Sequence, residues 1–266
     1  MIKMIAMDYD WTLVDHSQQE TVIGGETIKL INRFINSGGY AGIVSGRQCW
    51  EFQGEFRQMG LLWSKPFPNY IVSREAYIYE VNGSNYESVS EHNDRMRKKI
   101  MTLTRKMSAY MEEILSLYEK SNIKVTNFFV YGDFAIEIHT AKEDAQKAMQ
   151  LMMRFTKENG IEDAAVHRNG VMVTVYSKYA GKGNTLLAAS QHFGIKPDEV
   201  LAIGDSYNDV SMIDGKLGFI GACVGNAETE IKEIVKRGGG YIGAGTAYKG
   251  IADILLQLEN EGKIKF

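Results

Sequence analysis

The 266-residue sequence predicts an α/β fold in which a parallel-sheet core is interrupted by an inserted α+β domain. Three observations point there. Apolar runs without polar alternation stand at residues 2–7, 40–44 and 200–203, the pattern of strands covered on both faces by helices. Helix-forming stretches connect and flank these runs, which is the rhythm of βαβ units. Between residues 82 and 175 that rhythm gives way to a long helical stretch, two strands, a helix and two strands, the order of an α+β layer.

In chain order, residues 2–7 form the first strand and 25–37 a helix stopped by Gly38-Gly39. Residues 40–44 make the second buried strand, which ends at Ser45-Gly46-Arg47. A helix is expected over 47–59, a connection at Lys65-Pro66-Phe67-Pro68 and a strand over 69–73. Residues 86–120 read as polar, Met-rich and helical, followed by strands at 125–131 and 134–139, a helix at 141–158 and strands near 163–167 and 170–176. The α/β rhythm returns with a helix at 181–193, the strand at 200–203 and a helix from about 207. A strand at 218–224, helices at 227–237 and 247–258, and a short strand at Tyr241-Ile242 complete the chain. The expected organisation is a Rossmann-like core of residues 1–81 and 176–266 and an inserted α+β domain of 82–175.

With 44% hydrophobic residues the chain can bury a large core. A net charge of -3 gives no electrostatic footprint for nucleic acid or an anionic membrane, and neither partner is expected. No segment approaches the roughly 18 consecutive apolar residues of a membrane span. The apolar start runs straight into Asp8, too short for a secretory signal, so a cytoplasmic location is expected. Cys49 and Cys223 lack CxxC or Cys/His spacing, which favours two buried thiols over a disulfide or a zinc site. His16, His92, His139, His167 and His192 share no ligand spacing and are expected at the surface or satisfied locally. The run Arg95 to Lys99 reads as a solvated helix face, and the methionines at 96, 101, 107, 111, 149, 152 and 153 as core packing of the insertion.

Four segments fall at strand ends or at the helix starts beside them, where an open α/β sheet places its ligand site. Asp8-Tyr9-Asp10-Trp11-Thr12 follows the first strand and presents two carboxylates at i and i+2. One suits attack on phosphorus, the other proton transfer to and from oxygen. Ser45-Gly46-Arg47 offers a hydroxyl and backbone N–H groups to phosphate oxygens. Lys182 opens a helix as a fixed cation, and Gly204-Asp205-Ser206-Tyr207-Asn208-Asp209 carries the oxygen donors that a hard cation such as Mg2+ takes. Carboxylates and a phosphate dianion repel one another, so a divalent cation and a lysine are what bring them into contact.

In this order the segments resemble the motifs of the haloacid dehalogenase superfamily of aspartate-nucleophile phosphatases: DxDxT at Asp8 to Thr12, hSGR at Val44 to Arg47, the helix-starting Lys182, and GDxxND at Gly204 to Asp209. The insertion resembles the large cap of the Cof-type and sucrose-phosphate-phosphatase branch. The resemblance implies a magnesium-dependent phosphomonoesterase acting on a small phosphorylated metabolite, such as a sugar phosphate or a phosphoglycolate-like acid. It implies Asp8 as nucleophile, Asp10 as general acid/base and Lys182 as the stabilising cation. Thr12, Ser45, Gly46, Arg47 and Asn208 are then phosphate or substrate contacts. The metal set is Asp8, the Asp10 backbone carbonyl, Asp205 and Asp209. A mobile cap would hinge near 80–84 and 174–179. A phosphomutase, or a regulatory module that binds a phosphometabolite without turnover, would use the same residues.

Two departures stand close to the nucleophile. Trp11 occupies a position that is usually Gly, and Arg74-Glu75 one that is usually Asn-Gly. Arg47 and Arg74 are each open to two readings, an anion contact or an ion pair with Glu51 and Glu75 respectively.

Overall fold

The computed structural model describes residues 1–17 and 22–266, with Asn169 by its backbone alone. The chain divides into two compact units, Met1–His92 with Lys182–Phe266, and Asn93–Gly181.

The first unit is built on an eight-stranded sheet. Its strands are β1 (Met4–Met7), β2 (Tyr40–Val44), β3 (Tyr70–Ser73), β4 (Tyr77–Asn82), β5 (Asn85–Ser88), and then, after the second unit, β10 (Val200–Gly204), β11 (Ile220–Cys223) and β12 (Tyr241–Ile242). They lie in the order β12-β11-β10-β1-β2-β3-β4-β5, parallel from β12 to β3 and antiparallel from there. The chain leaves β1 toward β2 on one side and later fills β10 to β12 on the other, so order reverses between β1 and β10. That is where such a sheet opens a crevice at its strand ends.

The two-residue period of β1 sends Ile5 and Met7 into one layer, and Met4 and Ala6 into the other. The first layer is closed by α1 (Gly25–Asn36), α2 (Cys49–Gln58) and α9 (Tyr248–Asn260). In α1 the buried residues Thr27, Ile31 and Phe34 recur at helical spacing, so one stripe faces the sheet. The second layer is closed by α6 (Lys182–His192), α7 (Val210–Ile213) and α8 (Thr229–Arg237), through Leu186, Ala189, Met212, Ile213, Ile231 and Val235. Both cysteines are buried free thiols, one against each layer.

The second unit holds α3 (Ser90–Ser108, from its second turn), α4 (Met111–Lys120), β6 (Val125–Val130), β7 (Ala135–Thr140), α5 (Ala145–Glu158), β8 (Ala164–Asn169) and β9 (Met172–Ser177). Its antiparallel sheet runs β6-β7-β9-β8. Ile136, Ile138, Val173 and Val175 pack on Leu103, Met107, Ile114, Tyr118, Met152 and Phe155. Of the methionines expected in packing, Met96, Met107 and Met152 are buried and Met111 and Met149 partly so. Met101 and Met153 are exposed, because they fall on the outward turn of their helices.

The structure differs from the sequence reading at β4 and β5. The pattern over 86–120 reads as helix, yet Asn85–Ser88 pairs with β4 across the two-residue turn Gly83-Ser84, with Gly83 at φ 61°. This hairpin extends the first unit's sheet, so residues 82–92 belong with that unit, and 176–181 with the second. The helical run is also broken between Ser108 and Met111. Among the described residues no helix is long and apolar enough to cross a membrane.

Candidate active site

β1 and β10 are in register, with Met7 opposite Ile203, so the next residues, Asp8 and Gly204, stand side by side at the strand ends. The Asp8 N–H still donates to the Ile203 carbonyl at 2.9 Å, which fixes the carboxylate at the strand end. Gly204 is required there: a Cβ on it would lie 2.4 Å from Asp209 Cγ. The chain then turns tightly, Leu13 and Val14 both donating to the Tyr9 carbonyl. Trp11 sits at the left-handed φ of 63°, which accounts for the Gly usual at that position. The Asn226 amide braces the turn by donating to the Trp11 carbonyl at 2.8 Å.

Asp8, Asp205 and Asp209 come together, with one oxygen of each within 4.8 Å of the others. Lys182, at the first turn of α6 and 1% exposed, donates to Asp8 Oδ1 at 2.5 Å and Asp209 Oδ1 at 2.6 Å. Asp209 Oδ2 accepts the backbone N–H groups of Asp205 and Ser206 at 2.9 and 3.0 Å. Both Asp209 oxygens are therefore engaged: it anchors Lys182 and shapes the loop that carries Asp205. Thr12, expected on phosphate, donates its hydroxyl to Asp205 Oδ1 at 2.9 Å. Its short side chain is spent orienting that carboxylate.

The electrostatics follow from burial. Desolvation holds the Asp8 carboxyl well above the usual range; Lys182 opposes this, and Asp209 and Asp205 add to it. Asp205 is pushed up to about 6, first by burial and then by Asp209. Burial pulls the pKa of the Lys182 ammonium down, but Asp209 and Asp8 outweigh it, raise it above its ordinary value and keep the group charged. Ionised together, the three carboxylates against one ammonium carry two negative charges, with Asp8 and Asp209 buried and Asp205 half-buried, an oxygen donor set and charge that fit a hard divalent cation.

The loop after β2 is held by the turn between β3 and β4. Glu75 donates its N–H to the Ser45 carbonyl at 3.0 Å, Arg74 to the Arg47 carbonyl at 3.0 Å, and Ser73 Oγ to that same carbonyl at 3.0 Å. Ser45 is 3% exposed and its Oγ accepts the Arg47 N–H at 3.2 Å. Arg74 and Glu75 have φ of 50° and 52°, again the conformation that Gly favours. The Glu75 carboxylate is buried beside Gly46 and accepts from the Asn208 amide at 3.4 Å, while Asn208 Oδ1 accepts from Ser206 Oγ at 2.5 Å. Burial raises the Glu75 carboxyl above the usual range, with Lys182 opposing.

Arg47 points neither at the buried carboxylates nor at Glu51. Its Nε and Nη2 donate to Asp10 Oδ2 and Oδ1 at 2.9 and 2.6 Å, and its Nη1 donates to Glu55. Glu51 instead closes the capping box of α2 by accepting the Gln48 N–H at 3.2 Å, so the partner is Glu55, one turn further along. Sequence reasoning also missed His16, whose Nε2 lies 2.7 Å from Asp10 Oδ1. The remaining histidines stand elsewhere: His192 on Glu80, His92 on the Ala76 carbonyl.

The sequence model of the haloacid dehalogenase-like hydrolases matches residues 5–255. A phosphoglycolate phosphatase of Methanospirillum hungatei is 47% identical over 236 residues, 88% of this chain and 88% of its own. Phosphoglycolate phosphatase 1 of Saccharolobus solfataricus is 25% identical over 265 residues, 98% of this chain and 99% of its own. Among solved structures, the sucrose-phosphatase of Synechocystis, in complex with sucrose and phosphate, has the same fold, with a TM-score of 0.71 at 19% identity over 97% of this chain and 99% of that one. With its strand-end carboxylates and buried lysine in an α/β core that the family's model spans almost end to end, the chain belongs to the haloacid dehalogenase-like hydrolases, in their phosphatase branch.

Proposed function

We propose that the chain is a magnesium-dependent phosphomonoesterase that works through an aspartyl-phosphate on Asp8. The observation that carries this reading is the set of buried Asp8, Lys182 and Asp209 with half-buried Asp205 beside the β1/β10 strand ends. In the first half-reaction an Asp8 carboxylate oxygen bonds to phosphorus, the bond from phosphorus to the ester oxygen breaks, and Asp10 gives that oxygen a proton. In the second, Asp10 takes a proton from water, the water oxygen bonds to phosphorus, and the bond to Asp8 breaks to release phosphate. Lys182, donating to Asp8 Oδ1, opposes the upward push of burial on the Asp8 carboxyl and so favours the ionised form that attacks.

The side chains of Asp8 and Asp205 and the backbone carbonyl of Asp10 would hold the magnesium ion, with Asp209 fixing Lys182 and the 205–206 backbone behind them. When bound, the ion supplies charge neutralisation that lets a phosphate dianion approach the carboxylates. Ser45 and Gly46 then provide the hydroxyl and backbone contacts to phosphate oxygens. Asn208 adds an amide, already oriented by Ser206 and Glu75.

The substrate in this reading is a small phosphorylated metabolite, phosphoglycolate or a sugar phosphate. The names of the Methanospirillum relative and the Synechocystis structure support those classes. The unit Asn93–Gly181 is the substrate-selecting cap in the same reading. Asp8→Asn should abolish turnover of p-nitrophenyl phosphate in magnesium; undiminished turnover would overturn the mechanism.

A further inference from the structure

Asp10 is held by two basic groups, and one of them, Arg47, is a residue that the motif pattern assigns to phosphate. Its Oδ1 accepts from Arg47 Nη2 at 2.6 Å and lies 2.7 Å from His16 Nε2, while its Oδ2 accepts from Arg47 Nε at 2.9 Å. Arg47 is itself fixed from behind. Its Nη1 pairs with Glu55, whose other oxygen accepts the Tyr9 hydroxyl at 2.7 Å, and its guanidinium lies 5.1 Å from the centroid of the buried Tyr9 ring. Tyr9 is in turn locked by Phe52, ring centroids 4.7 Å apart. On the other side His16 packs edge-on to Trp11 at 5.3 Å.

We infer that Arg47 is a positioning residue for Asp10, not a phosphate ligand, and that Glu55 and Tyr9 set its aim. This rests on the reading of Asp10 as the general acid/base. A planar guanidinium that donates through two parallel N–H groups fixes the plane of a carboxyl group as no single cation can. With that fork on Asp10 and Nη1 on Glu55, Arg47 does not present its fork to a phosphate. The bonding also distinguishes the two oxygens of Asp10. Among the described residues Oδ1 is approached by two nitrogens and Oδ2 by one, which leaves Oδ2 a lone pair and makes it the atom that passes the proton. Glu55 touches nothing that reacts; it acts by holding Arg47.

Leaving-group dependence tests this. Protonation of the ester oxygen matters for an alkyl leaving group and hardly at all for dinitrophenolate, whereas a phosphate contact matters equally for both. kcat/KM reports the first half-reaction and is measured with phosphoglycolate or glucose 6-phosphate, whichever the wild type turns over faster, and with 2,4-dinitrophenyl phosphate. General acid catalysis contributes typically 10²–10⁴-fold, so partial loss of its positioning in Arg47→Lys and Glu55→Gln should lower the alkyl value by about 10–100-fold. The dinitrophenyl value should change by less than about threefold, as should the inhibition constant for inorganic phosphate. Asp10→Asn should show the same selective loss and Glu55→Gln, which keeps shape and hydrogen-bonding capacity, should retain the wild-type melting temperature. Equal loss on both esters, a weaker inhibition by phosphate, or no loss on either would overturn the inference while Asp8→Asn still abolishes turnover of both. Activity retained in Asp8→Asn would instead overturn the reading on which it rests.

Discussion

Replacing Lys182 by Met keeps most of the side chain's length and removes its charge, leaving the buried Asp8 and Asp209 and the half-buried Asp205 without the ammonium that pairs with Asp8 and Asp209. Removing one partner of a buried ion pair costs about 3–5 kcal/mol. Lys182 serves two carboxylates at 2.5 and 2.6 Å, so the upper part of that range applies. At about 2–4 °C per kcal/mol for a chain of this size, the metal-free melting temperature should fall by about 8–20 °C. The pH dependence has a definite sign. Asp8 and Asp205 have folded-state pKa values raised above their unfolded ones, Asp205 to about 6, so they bind protons more readily folded than unfolded as pH falls. Protonation relieves the repulsion, and the penalty is greatest above about pH 6 and shrinks toward pH 4. Lys182 is held charged through this window, so the groups that titrate are the carboxyls. Scanning fluorimetry on metal-free wild type and variant, at acid and neutral pH, measures both effects. A fall below about 2 °C at neutral pH, or a penalty that grows on acidification, would refute the electrostatic reasoning.

Magnesium affinity should fall as pH drops below about 6, approaching tenfold per pH unit, because the Asp205 proton must leave before the carboxylate can bind a cation; calorimetric titration across pH 5–7 measures the slope. Gly204→Ala should destabilise by about 1–3 kcal/mol in urea and weaken magnesium binding, since its methyl would collide with the Asp209 side chain that holds Lys182 and the 205–206 backbone. Trp11→Gly should leave stability within about 1 kcal/mol of wild type, because relief of a left-handed φ offsets the added freedom of the unfolded chain. A larger loss would mean that the indole's contact with His16 is a significant stabilising term.

Asp8, Lys182, Asp205 and the sheet around them were legible because strand-end position and motif order determine where such side chains go. β1, β2 and β10 are apolar without alternation, and the loops that follow them converge wherever the strands are parallel. What could not be read is which donor takes which acceptor. Thr12 and Arg47 lie in motifs associated with phosphate, yet Thr12 orients Asp205 and Arg47 clasps Asp10. Glu55 was hidden because Glu51 lies nearer along the chain; only the capping box of α2, which takes Glu51, passes the ion pair on by one turn. His16 reaches Asp10, six residues back and at neither helical nor strand spacing, through the tight turn at residues 9–14. The β4–β5 hairpin did leave a signal, an Asn82-Gly83 pair between β-prone segments. The polar run that follows masked it.

The covalent intermediate on Asp8 can be sought directly. Acid quenching during turnover, reduction with borohydride and peptide mapping by mass spectrometry convert an aspartyl-phosphate into homoserine at its position in the chain. Homoserine should appear at position 8, only with both substrate and magnesium present, and more strongly in Asp10→Asn with 2,4-dinitrophenyl phosphate, whose leaving group needs no proton while hydrolysis of the intermediate is slowed. An active enzyme that yields no homoserine, or yields it at another aspartate, would contradict Asp8 as the nucleophile.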